Sequence, residues 1–223
     1  MLIKKPDDTN AREPVFRNFP AVVIALSALI IGVTTIQFLV SDQIENEMWL
    51  TAAVVGGPDF VGLQQPLGPL APLVLHTLLH MNVLHIVMNM TAMLSFGPAI
   101  AVALKPGASR WIAFILFFCL CAIGGALAQL AYYQVFQVSG AAIGASSAMS
   151  GFLPAAGYLM GGWRGAMRLS WPWVAINVVL AVAELFTSVG IAWPAHLGGL
   201  AVGLLVFPMI LRQFGRVRLQ RPA

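Results

Sequence analysis

The stretch Asn82-Val-Leu-His85-Ile-Val-Met-Asn89-Met-Thr-Ala-Met-Leu-Ser-Phe-Gly-Pro-Ala-Ile-Ala-Val-Ala-Leu104 decides how this chain is built. It contains no Asp, Glu, Lys or Arg, and it stops at Lys105-Pro106-Gly107. A helix needs roughly 20 apolar residues to cross the hydrocarbon core of a bilayer, so the stretch reads as a membrane span. His85 and Asn89 are foreign to such a span. Standing four apart, they share one helix face. Polar groups at that depth are costly, which marks them as functional candidates.

Composition extends the reading to the whole chain. Of 223 residues, 59% are hydrophobic and only 9% are charged. A soluble domain carries about a quarter charged residues, so 12 Lys+Arg and 8 Asp+Glu cannot clothe a water-facing surface of this size. Disorder is excluded, because it requires low hydrophobicity. A disulfide scaffold is excluded as well: the two cysteines, Cys119 and Cys121, lie in one apolar run and too close for a normal bridge. A polytopic membrane protein remains.

Working outward, an earlier apolar run covers Pro20 to Val40. It is too long for a signal-peptide core and reads as a retained first span. Later runs cover Trp111 to about Tyr133, Ser146 to Met160, Trp171 to about Val189, and Pro194 to Leu211. The connection from Ser41 to about Pro72 is long. Its apolar piece, Trp49 to Val55, is too short to span and is expected at the interface or against protein.

Lysine and arginine mark cytoplasmic loops. With six spans, the N-tail, the 2–3 loop, the 4–5 loop and the C-tail hold four, two, two and four basic residues, which is all 12. The basic pI of about 9.5 is therefore an orientation signal, and no nucleic-acid partner is expected. The expected architecture is an all-α membrane bundle of six spans with both termini cytoplasmic. It divides into a tail (1–19), a membrane domain (20–211) and a basic tail (212–223).

This topology gives each intramembrane polar group a depth. His85, Asn89, Ser146 and His196, on three different spans, fall at one level below the outer surface. Ser146 lies in Gly144-Ala145-Ser146-Ser147-Ala148, a turn entering a helix. There the free N–H groups and the helix dipole favour negative charge and can stabilise an oxyanion. A serine hydroxyl needs a base to become a nucleophile, and His196 is the candidate. His85 and Asn89 can donate hydrogen bonds to the oxyanion. The set meets the requirements for acyl transfer. Gln129, Asn177 and Glu184 are further polar groups within spans. His76 and His80 stand four apart without a carboxylate or cysteine partner, so neither a metal nor any other cofactor is expected.

Three blocks together carry a resemblance to the rhomboid family of intramembrane serine proteases, in its basic six-span form. They are His76-Thr-Leu-Leu-His80-Met-Asn-Val-Leu-His85-Ile-Val-Met-Asn89, Gly144-Ala-Ser146-Ser-Ala148, and Ala195-His196-Leu-Gly-Gly199-Leu-Ala-Val-Gly203. They are similar to the family's His-x4-His-x3-Asn, Gly-x-Ser-Gly and Ala-His-x2-Gly-x3-Gly patterns. The resemblance implies a Ser146–His196 dyad, an oxyanion hole from His85, Asn89 and the Ser146 N–H, and a role for His80 in ordering the first outer loop. Gly199 and Gly203 offer a small-residue face, expected to meet Ser147 and Gly151. The implied activity is hydrolysis of peptide bonds in or near transmembrane segments of other membrane proteins. With no transit-peptide features in the sequence, the expected setting is a bilayer, the bacterial cytoplasmic membrane, with the site facing outward. The alternative is an inactive rhomboid-like protein that binds transmembrane segments. The chain departs from the family pattern at Ser147, where glycine is usual, at Pro154, where a small residue is common, and in lacking a Trp-Arg pair in the first outer loop.

Overall fold

A computed structural model describes residues 19–186 and 190–216. Lys4, Lys5, Arg12, Arg17, Arg218 and Arg221, which contribute to the charge count, lie outside the described residues. Among the described residues, five long helices are apolar enough to cross a membrane. They are α1 (Ala21–Leu39), α4 (Val83–Ala103), α5 (Ala108–Phe136), α6 (Ser146–Glu184) and α7 (Trp193–Phe214). Between α1 and α4 run α2 (Asp42–Ala52), the short strand β1 (Val54–Gly56) and the single turn α3 (Pro72–Leu75). A second short strand, β2 (Gly140–Ala142), precedes α6.

Helix α6 is two arms. Its backbone leaves helical geometry at Gly161 and Gly162, where Gly162 has φ +58° and ψ −144°. Only glycine adopts that combination without strain. A straight helix would hold residues 150 and 173 about 35 Å apart. Instead the Trp173 indole N–H donates to Ser150 Oγ at 2.9 Å. The arms are therefore antiparallel, and Gly157 and Gly165 pass so closely that a methyl on either meets the other's backbone. The connector expected over 161–168 is almost wholly helix, and the turn is the two glycines. Pro154 and Pro172 both lie inside continuous helix.

Phe114 and Phe117 of α5, Phe152 of α6 and Phe207 of α7 are fully buried. Phe152 stacks on Phe117 at 5.6 Å and meets Phe114 edge-on at 5.5 Å. The outer faces stay apolar and exposed, as at Leu29, Ile36, Val179 and Met209. A lipid-facing surface has that character, and helix association then depends on close packing rather than on hydrophobic expulsion. Helix α7 achieves it with glycines. A methyl on Gly199 would strike the Ser147 carbonyl, and one on Gly203 the Gly151 backbone. On its other side, Gly198 lies against Gly124 of α5.

The first connection is tied down at three points. β1 pairs antiparallel with β2, setting Val54 opposite Ala142 and Gly56 opposite Gly140. The His80 N–H donates to Gln37 Oε1, and Gln37 Nε2 donates to the His80 carbonyl, both at 3.0 Å. Gln37 and the Trp49 indole also donate to Glu45. At the opposite end of the bundle, the Lys105 N–H donates to the Phe214 carbonyl and the Arg216 N–H to that of Ala103, each at 2.8 Å.

Candidate active site

The starts of α4, α6 and α7 lie at one end of the bundle around a cavity of about 900 Å³, lined in part by His85, Asn89, Ser146, Trp173 and His196. Ser146 opens α6, and His196 lies in the first turn of α7. Gly144 sets up the path between β2 and α6 with φ +114°. A side chain there would be strained, and its Cβ would fall 2.6 Å from His85 Nε2.

Ser146 Oγ lies 2.9 Å from His196 Nε2. The other ring nitrogen, Nδ1, lies 2.8 Å from Asn177 Oδ1. The proton positions follow from the partners. Asn177 Nδ2 donates to the Trp173 carbonyl at 2.8 Å, so its Oδ1 faces the ring. An amide oxygen only accepts, so His196 Nδ1 carries the hydrogen. Nε2 is then bare and accepts from the Ser146 hydroxyl. Trp173 covers the imidazole face, with centroids 5.4 Å apart. The same indole donates to Ser150 Oγ, which donates to the Ser146 carbonyl at 2.7 Å.

Asn177 and Trp173 are absent from the expected site. Their signal was available: Asn177 is a polar residue in a span, and Trp173 precedes it by one turn on the same face.

His85 and Asn89 line the cavity without bonding Ser146 or His196. Asn82 Oδ1 caps α4 by accepting the His85 N–H at 2.9 Å, and Asn89 Nδ2 donates to the His85 carbonyl at 3.0 Å. His80 is fully buried beneath them, its ring edge-on to His85 at 5.0 Å. Its Nδ1 meets Thr34 Oγ1 at 2.9 Å. Burial, with His85 beside it, lowers the His80 imidazole to about 3. Ser147 points away from the cavity, toward His76. Glu184 accepts the Trp193 indole N–H at 2.9 Å, joining the end of α6 to the start of α7.

The sequence profile of the Rhomboid domain matches residues 68–213, a range that includes His85, Asn89, Ser146, Asn177 and His196. No curated protein matches the chain.

Proposed function

This chain belongs to the rhomboid family, and we propose that it is an intramembrane serine protease that hydrolyses peptide bonds in or near transmembrane segments of membrane-protein substrates. One observation carries this reading above the family match: the Ser146 hydroxyl faces a bare His196 nitrogen at 2.9 Å, on a ring held from behind by Asn177 at 2.8 Å. Ser146 Oγ attacks the scissile carbonyl carbon, and its proton moves to His196 Nε2. The resulting imidazolium keeps its Nδ1–H on Asn177 Oδ1. Negative charge on the carbonyl oxygen is met by the Ser146 N–H at the start of α6, assisted by His85 and Asn89. His196 returns the proton to the leaving amine, and water then releases the acyl group from Ser146.

We assign six membrane crossings, with each arm of α6 making one. The Lys105–Arg110 loop, the Gly161–Gly162 turn and the chain's two ends lie on the cytoplasmic side, and the cavity opens at the other. A bacterial cytoplasmic membrane is the setting. An intact substrate helix hides its carbonyls, so the scissile segment must unwind to reach Ser146.

The test is labelling of the detergent-purified chain with a fluorophosphonate probe, alongside cleavage of a reporter transmembrane substrate in liposomes. Wild type labels and cleaves; Ser146→Ala and His196→Ala do neither. Silence of folded wild type in both assays sinks the protease reading and leaves a rhomboid-like binder of transmembrane segments.

A further inference from the structure

A second imidazole stands beside the turn that carries Ser146 and has no part in the chemistry above. His76 is 3% exposed. Its Nδ1 lies 2.8 Å from the Pro72 carbonyl. A carbonyl only accepts, so Nδ1 carries the hydrogen and Nε2 is bare. Nε2 therefore accepts from the Ser147 hydroxyl, at 3.1 Å. The backbone carbonyl of His76 accepts the Gly144 N–H at 2.8 Å. Gly144 and Ser147 bracket Ala145 and Ser146, so one residue grips the turn on both sides of the nucleophile.

The direction taken by Ser147 is informative. Serine inside a helix commonly turns its hydroxyl back to the carbonyl four residues earlier. Ser150 does so to Ser146, and Ser170 to Ala166. Ser147, the second residue of α6, has no helical carbonyl four residues back, and its hydroxyl reaches His76. The turn it helps to hold contains Gly144 at φ +114°, a conformation open to glycine.

We propose that His76 is a positioning residue, which through Gly144 and Ser147 fixes the Ser146 N–H toward the oxyanion and the Ser146 hydroxyl toward His196. This rests on the reading of Ser146 as nucleophile. It also accounts for Ser147, where the family usually has glycine, as the handle by which the imidazole holds the turn.

The full chain is purified, and fluorophosphonate labelling rates are measured well below the melting transition. KM and kcat are measured on a reporter transmembrane substrate in liposomes. Ser147→Ala is expected to slow labelling and kcat about tenfold, as loss of one aligning hydrogen bond does, with KM within about twofold. Ser147→Cys, similar in size with a weak S–H donor, is expected between the two. His76→Gln combined with Ser147→Ala is expected to be no slower than the slower single variant, since both break one contact. Should His76→Gln fail to fold, Ser147→Ala and Ser147→Cys decide alone. Ser147→Ala labelling at the wild-type rate, or a raised KM with kcat unchanged, overturns the inference and leaves the protease reading intact. A wild type that neither labels nor cleaves overturns both.

Discussion

Asn177 determines which nitrogen of His196 faces Ser146, because its amide oxygen can only accept and so holds the proton on Nδ1. Asn177→Ala frees the ring to rotate and to exchange tautomers. The expected result is a kcat about fivefold lower with KM little changed, the size of one lost hydrogen bond of about 1 kcal/mol. An unchanged kcat would show that packing against Trp173 alone holds the ring. His80 makes a separate prediction, in stability. Burial keeps its folded value near 3, against an ordinary value of 6.5. The unfolded chain therefore binds a proton that the folded chain refuses. Stability is complete above about pH 6.5 and falls as pH drops from there toward 3. Melting followed from pH 8 to pH 4 should show this decline, and His80→Gln should lessen it, leaving the part due to His76, which burial lowers to about 4. Parallel curves for the two proteins would remove His80 from the account. Ser146, His196, His85 and Asn89 stood out in sequence because each is a polar group in an apolar run, and the structure sets all four on one cavity. Asn177 was noticed for the same reason but not placed. Depth is readable along a span, whereas the rotation of the helix that aims a side chain at its partner is not.

At the level of elements, α7 sits in its slot because it has no side chains where it meets α6. Gly199→Ala drives a methyl into the Ser147 carbonyl, and Gly203→Ala drives one into the Gly151 backbone. Each is expected to cost about 1–3 kcal/mol and to slow fluorophosphonate labelling by spreading Ser146 from His196. Gly32 is the internal control. It faces open space inside α1, so Gly32→Ala should leave labelling unchanged and melting no lower. Equal effects at all three positions would count against the slot. The long helices were legible because an apolar run of the right length has few alternatives. The fold-back of α6 was misjudged in extent. Arg164 and Arg168 suggested a polar connector, yet they lie within helix. A long arginine side chain reaches the interface from a helical backbone, so charge near a membrane does not by itself imply a loop. The β1–β2 pairing was not legible at all, since Val54-Val55-Gly56 and Gly140-Ala141-Ala142 are each three residues long and only their meeting makes them strands.

The described part of the molecule separates positive charge from the cavity. Lys105, Arg110, Arg212 and Arg216 gather at the end where α4 meets α7, and the cavity occupies the opposite end. A cysteine at exposed Asp59 and another at exposed Ala108 should therefore react with a membrane-impermeant maleimide from opposite faces of an oriented vesicle. Labelling of both from one face would contradict the proposed topology. The same polarity gives α6 a mechanical character. One arm begins at Ser146, the other carries Asn177 about two turns before its end at Glu184, and they join at Gly161–Gly162, about 22 Å from either residue. The hairpin is a pair of tweezers whose pivot is remote from its grip. At that arm length, a rotation of about 5° at the glycines moves a tip by about 2 Å. This would draw Asn177 off His196. The Gly157–Gly165 contact and the Trp173–Ser150 hydrogen bond oppose that rotation by clasping the arms between pivot and grip.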